Sequence, residues 1–208
     1  MKKAFIYDLD NTIYAVSSIS KILFADLFAL IENSTEHDGN IEGIKLELQR
    51  RPYQLVAKEF CFSENLTGAG FDLLNNMSYD DAIHPFPDYN EILLLEGDRF
   101  LVTTGFSKLQ WSKIRGMKIE HDFLEIHIVD PSNSIRTKRD VFADIIARHG
   151  YDISEVVVIG DDPKSEISAA QELGIETVLV DKTSQFPEAD VDHRVTGFSE
   201  FRLLYQNL

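Results

Sequence analysis

The sequence predicts an α/β fold: a Rossmann-like, three-layer α/β/α core with a mostly parallel sheet and a helical insertion near its start. Three observations carry this expectation. Residues 3–8 form a short apolar run ended by charge, the pattern of a buried strand. From residue 84 onward, strand-like apolar runs alternate with helical patterns of about 10–13 residues, the arrangement of a parallel sheet covered on both faces. Nothing in residues 15–83 alternates like a strand, and apolar residues recur there at helical spacing. The economical division is a core of residues 1–14 and 84–208, with an inserted helical domain of residues 15–83.

Taken in order, Asn11 marks a turn after the first strand. Ile19, Ile22, Leu23, Leu27, Leu30 and Ile31 then read as one helix, with Ser17 or Ser18 as its cap. A polar break over residues 33–40 precedes helical patterns at 44–49 and 52–60. Pro52 suits a first turn, where its missing N–H costs nothing. Phe71, Leu74 and Met77 indicate a further short helix. After the entry turn at Pro85 and Pro87, residues 89–95 read as a helix, 99–103 as a strand ending in Thr-Thr-Gly, and 107–115 as a helix. The strand at 123–129 runs into the loop Asp130-Pro131-Ser132-Asn133. A helix over 137–149 carries Val141, Phe142, Ile145 and Ile146 on one side and is closed by Gly150. A strand at 155–159, a helix at 163–173 stopped by Gly174, and a strand at 175–180 follow. The tail holds a short strand near Val195 and a helix over 198–204.

Composition narrows the function classes. The 208 residues carry 20 Lys+Arg against 35 Asp+Glu, a net charge of -15, which disfavours nucleic-acid polymers and anionic membranes as partners. With 44% hydrophobic residues the chain can bury a core, so a disordered or fibrous chain is excluded. Cys61 stands alone, which rules out an internal disulfide and a four-cysteine zinc site. Asp8 and Asp10 end the first apolar run too early for a signal peptide, and no stretch approaches the roughly 18 apolar residues of a membrane span. A cytoplasmic monomer or homodimer that handles a small molecule is expected.

In open α/β sheets, ligands bind beyond the carboxyl ends of the strands. Asp8 and Asp10 close the first strand, Thr103 and Thr104 the second, and Asp161 the strand at 155–159, while Lys138 opens a helix. Each group alone has an ordinary explanation: a strand-end aspartate as a turn cap, Asp162 as a cap for the helix at Pro163, Lys138 as a solvated helix lysine. Together they give clustered carboxylates, whose mutual repulsion a hard divalent cation such as Mg²⁺ would offset.

The run Asp8-Leu9-Asp10-Asn11-Thr12 resembles the first signature of the haloacid dehalogenase-like hydrolase superfamily. Thr103, Lys138 and Gly160-Asp161-Asp162-Pro163-Lys164-Ser165-Glu166 resemble its other signatures, in order. The resemblance implies a Mg²⁺-dependent phosphatase with a helical cap inserted after the first strand. It implies Asp8 as nucleophile, forming an aspartyl-phosphate, and Asp10 as general acid and base. The metal would be held by Asp8, Asp161 and the Asp10 carbonyl, with Asp162 and Glu166 behind them; Thr103, Thr104 and Lys138 would hold the phosphoryl oxygens. Two departures stand out. Glu166 replaces the usual aspartate, and its extra methylene should carry it to the metal's water shell. Arg139 follows Lys138 where proline is usual, with Arg136 the other basic residue nearby.

Asp10 argues against a dehalogenase, whose reaction needs no acid at that position. A phosphomutase and a non-catalytic, metabolite-binding member of the same fold are the alternatives. A two-component receiver domain has a similar acidic set but is shorter and lacks the insertion. Tyr14, Arg50 and Tyr53 are the candidates for substrate selection, and the cap resembles those of pyrimidine-nucleotide phosphatases. The expected substrate is a small phosphorylated metabolite, a nucleoside monophosphate or a sugar phosphate, with the nucleotide preferred.

Overall fold

A computed structural model describes residues 1–133 and 135–205. Six strands form one sheet: β1 (Ala4–Tyr7), β2 (Asp98–Thr104), β3 (Glu125–Val129), β4 (Val156–Gly160), β5 (Glu176–Val180) and β6 (His193–Val195). Their order is β3-β2-β1-β4-β5-β6, and every pair is parallel. The chain works outward from β1 on one side and then from β4 on the other. The reversal leaves a crevice between β1 and β4, the usual place for a ligand in such sheets. Tyr7 lies opposite both Leu101 and Ile159, so the residues that follow these strands emerge together.

β1 is buried on both faces, which is why it reads as a continuous apolar run. Phe5 and Tyr7 pack edge-on against Phe198, Phe201 and Tyr205 of the last helix (Phe198–Tyr205). Ala4 and Ile6 face the other way, into a cluster with Phe100, Val141, Phe142, Ile145 and Val158. These opposite partners make the three layers. The Tyr7 hydroxyl is fully buried with no hydrogen-bond partner among the described residues.

Five α-helices stand between β1 and β2: α1 (Ser20–Leu23), α2 (Ala25–Glu32), α3 (Ile41–Leu48), α4 (Tyr53–Glu59) and α5 (Glu64–Asn76). The periodic run at 19–31 is two helices rather than one. The backbone leaves helical geometry at Phe24, and neither Ser17 nor Ser18 forms a side-chain cap. α5 is longer than its apolar residues indicated, because Ser63 caps it by accepting from the Leu66 N–H. Pro52 sits just outside α4 with an extended backbone. The Tyr53 hydroxyl donates to the Leu66 carbonyl of α5, across a glycine: a Cβ at Gly70 would lie 2.2 Å from that oxygen.

The rest of the core follows the expected order. α6 (Ser107–Met117) and α7 (Lys138–His149) flank the sheet, and α7 opens with a Thr137–Asp140 capping box and ends at Gly150 in left-handed geometry. Two segments differ from expectation. Residues 89–94 are a 3₁₀ helix. The expected helix at 163–173 begins as a π-helical turn over Pro163–Ile167 and becomes α8 (Ser168–Gln171) only afterwards; the final helix is α9. Among the described residues, no helix is long and apolar enough to cross a membrane.

Candidate active site

Asp8 follows β1 and Asp161 follows β4, so the two carboxylates meet in the crevice where the strand order reverses. The π-helical turn brings Glu166 back towards them. Side-chain oxygens of Asp8, Asp161 and Glu166 lie within 4.8 Å of one another. Gly160 makes this approach possible, since a Cβ there would sit 2.1 Å from Glu166 Oε1. Lys138, the first residue of α7, is buried and donates to Asp8 Oδ1 at 2.6 Å and Glu166 Oε2 at 2.7 Å. The other Glu166 oxygen accepts from the Asp162 N–H at 2.7 Å. Thr12 Oγ1 stands 3.4 Å from both Asp8 Oδ2 and Asp161 Oδ1.

One ammonium thus faces three carboxylates, of which Asp8 and Glu166 are buried and Asp161 half-buried. Burial, then the charges of Glu166 and Asp10, push the Asp8 carboxyl up against the opposing pull of Lys138. Asp161 is pushed well above the carboxylate range by burial and by Glu166, Asp8 and Asp162. Lys138 is held above its ordinary value by Asp8 and Glu166, which outweigh its own burial. An excess of hard, buried oxygen donors that repel one another fits a divalent metal ion. The cluster can hold one.

Asp10 belongs to a second arrangement. Its carboxylate accepts from Tyr14 Oη at 2.5 Å, Gln110 Nε2 at 2.9 Å, and Lys113 Nζ at 2.8 and 3.0 Å. Burial acts to raise its pKa, but Lys113, Tyr14 and Gln110 together hold it below the usual carboxylate range. Gln110 Nε2 also donates to Thr103 Oγ1 at 2.7 Å, joining the end of β2 to the carboxylate of Asp10. Between these groups and the helices α2–α5 lies a cavity of about 120 Å³. Asp8, Asp10, Thr103, Thr104, Lys138 and Asp161 line its polar end, and Phe24, Leu27, Leu48, Leu74 and Leu109 line its apolar wall.

A family model described as HAD-hydrolase-like matches residues 138–197, the stretch that holds Lys138, Asp161 and Glu166. Among curated proteins, the chain is 26% identical over 204 residues to a glyceraldehyde 3-phosphate phosphatase of Methanopyrus kandleri, covering 86% of this chain and 84% of the relative. It is 24% identical over 208 residues to a protein of that name from Methanothermobacter thermautotrophicus, covering 93% and 91%. Among solved structures, a haloacid dehalogenase-like family hydrolase from Streptococcus pneumoniae superposes with a TM-score of 0.77 at 16% identity, covering 99% of each chain. The fold over the whole chain and the matched stretch that holds Lys138, Asp161 and Glu166 make this chain similar to the haloacid dehalogenase-like hydrolases.

Several expected residues of this haloacid dehalogenase-like enzyme stand differently from expectation. Tyr14 is fully buried with its hydroxyl on Asp10, so it supports that carboxylate. Tyr53 lines the cavity, but its hydroxyl is taken by the Leu66 and Thr67 carbonyls. Arg50 is exposed at the cavity rim, with its guanidinium carbon 5.3 Å from the Phe186 ring centre. The Asp162 carboxylate caps the turn at Pro163 by accepting from the Lys164 N–H. Glu166, expected at the metal's water shell, stands beside Asp8 and Asp161. Lys113 and Gln110 were not foreseen. A signal existed: they fall on the same helical face as Leu109, Ile114 and Met117, and a buried face has little reason to carry an amide and an ammonium without partners.

Proposed function

We propose that this haloacid dehalogenase-like enzyme is a Mg²⁺-dependent phosphomonoester hydrolase that acts through an aspartyl-phosphate on Asp8. The observation that carries this reading is the set of buried Asp8 and Glu166 and half-buried Asp161 around one lysine, with a separately held carboxylate, Asp10, two residues after the nucleophile. Asp8, Asp161, Glu166 and the Asp10 carbonyl would hold the Mg²⁺. Bound there, the ion would neutralise charge on the phosphate and on the attacking carboxylate.

The side chains divide the work. An oxygen of Asp8 attacks phosphorus as the bond to the leaving oxygen breaks, and Asp10 gives that oxygen its proton. Water then attacks phosphorus, Asp10 takes the proton, and the aspartyl P–O bond breaks to release inorganic phosphate. Lys138 pins Asp8 Oδ1, leaving Oδ2 with only the long Thr12 contact as the oxygen free to attack. Lys113 keeps Asp10 ionised at rest, the form the second half needs; the negative charge of an entering phosphate raises the carboxyl again, the direction the first half needs. Thr103, Thr104 and Lys138 would orient the phosphoryl oxygens.

For the substrate, a compact sugar phosphate is favoured over a nucleotide. Both curated relatives carry the name of a triose phosphate phosphatase. The test is a screen of the purified protein against phosphate monoesters, with and without Mg²⁺, alongside Asp8→Asn. Turnover is expected only with Mg²⁺ and only with Asp8, which alone should yield an acid-stable, hydroxylamine-sensitive phosphoprotein. No turnover of any ester, an aryl phosphate included, would instead support a non-catalytic, metabolite-binding protein.

A further inference from the structure

A second cavity, of about 360 Å³, lies on the other side of the connection between α3 and α4. Gln49, Arg50 and Asp161 line it as well as the first, so the two meet at the metal-binding carboxylates. Its opposite wall is the segment after β5, with Lys182 and Phe186, and the entry turn with Phe86.

What distinguishes this cavity is the state of its two cations. In a chain with 35 carboxylates against 20 cations, neither Arg50 nor Lys182 is ion-paired among the described residues. Both rest on aromatic faces. Lys182 Nζ stands 3.9 Å from the ring centre of Phe86 and 5.5 Å from that of Phe198, and Arg50 lies over Phe186. Other lysines without a partner, such as Lys21 and Lys58, are exposed on helices; Lys182 is half-buried, and burial lowers its pKa. The carboxylates of the cavity are committed elsewhere. Asp181 accepts from Arg194 at 2.9 Å and from the Gln185 and Phe186 N–H groups, while Asp161 belongs to the metal cluster. Asp88 near Lys182 and Asp162 near Arg50 act only from beyond ion-pair distance, and both accept backbone N–H groups instead. A guanidinium fork and an ammonium face one cavity over aromatic rings, with no ion-paired acid among the described residues, an arrangement suited to an acidic ligand.

We propose that Arg50 and Lys182 form a second anion subsite, which takes the distal acidic group of the substrate while its phosphate lies at Asp8. This rests on the phosphohydrolase reading and replaces the sugar phosphate favoured there: the substrate class becomes a short phosphate ester that carries a carboxylate at its far end. Arg50 offers two parallel N–H groups to a carboxylate and Lys182 a point charge.

The test compares two three-carbon esters that differ only at the far end, 3-phosphoglycerate and glyceraldehyde 3-phosphate. Wild-type protein in Mg²⁺ should favour the acid by about tenfold or more in kcat/KM, the worth of one charge-assisted hydrogen bond. Arg50→Met and Lys182→Met should each bring that ratio towards one, mainly by raising KM for the acid. Equal use of the two esters by wild type, or equal losses on both in the variants, overturns the subsite. Calorimetric titration of both esters into Asp8→Asn with Mg²⁺ reads binding without turnover. Tighter binding of the acid there, with no hydrolysis by wild type, overturns the phosphatase reading and upholds the subsite.

Discussion

At the scale of single residues, the two aspartates of the first signature differ more than their spacing indicates. Asp8 shares a buried lysine with Glu166, whereas Asp10 is gripped by Lys113, Tyr14 and Gln110. Lys113 is 4% exposed, so its charge has no role in solvation and its one partner is Asp10. Lys113→Met should therefore act on the step that Asp10 serves. Esters of poorly leaving alkyl alcohols, which need protonation, should slow by about 10²-fold or more. An aryl phosphate, whose leaving group departs as an anion, should slow far less in its first step. Rates across a series of leaving groups measure this, and a uniform loss along the series would make Lys113 a purely structural residue. Asp8, Asp10, Asp161 and Lys138 were legible in the sequence because each terminates or starts an element. Lys113 and Gln110 were not singled out, since a lysine inside an amphipathic helix ordinarily faces water. Tyr14 was assigned to substrate because its position after the signature says nothing about the direction of its ring.

At the scale of elements, the π-helical turn and the loop after β3 position most of the site. The turn over Pro163–Ile167 widens the helix just where Glu166 must reach the crevice, and Gly160 leaves the space it enters. Sequence periodicity treats residues 163–173 as one ordinary helix and cannot show this. The break at Phe24 escaped for a similar reason, because apolar spacing continues across it. The second device is Asp130, which follows β3. It accepts from Ser107 N–H and Oγ at 2.7 and 2.6 Å and from Ser132 N–H at 2.9 Å, so it caps α6 from 23 residues away. α6 in turn carries Gln110 and Lys113. Asp130→Ala should cost about 2 kcal/mol in urea unfolding, as lost caps and charge-assisted hydrogen bonds do. These bonds hold the Asp130 carboxyl down to about 2, against an ordinary 3.8, with burial opposing. A depressed acid stabilises the fold above its unfolded pKa and loses that contribution as pH falls through the folded one. The difference between wild type and variant should be constant above pH 3.8 and shrink towards pH 2. A gap that persisted at pH 2 would assign the loss to packing.

At the scale of the whole molecule, the site opposes the fold that carries it. The chain already bears a net charge of -15, and its crevice gathers three carboxylates, two buried and one half-buried, against one lysine. Asp161 is the least compensated of them: Thr12 stands 3.4 Å away, and the charge of Lys138 acts on it less than burial and the neighbouring acids do. Its carboxyl is raised by burial and by Glu166, Asp8 and Asp162, so the folded state binds a proton there more readily than the unfolded chain does. Such a group makes stability fall as pH rises from the unfolded value towards the folded one, the opposite sign to Asp130. A divalent cation removes the same repulsion without a proton. Mg²⁺ at 100 times its dissociation constant should stabilise the native state by about 2.7 kcal/mol. For a chain of this size that raises Tm by roughly 5–10 °C. Asp161→Asn removes one repelling charge and one ligand together. The variant should melt higher than wild type when both are metal-free, gain little from Mg²⁺, and lose turnover. Thermal melts of both proteins in chelator and in Mg²⁺ make the comparison. A metal-free variant less stable than wild type would show that Asp161 supports the fold and that the crevice holds no stored repulsion for a cation to relieve.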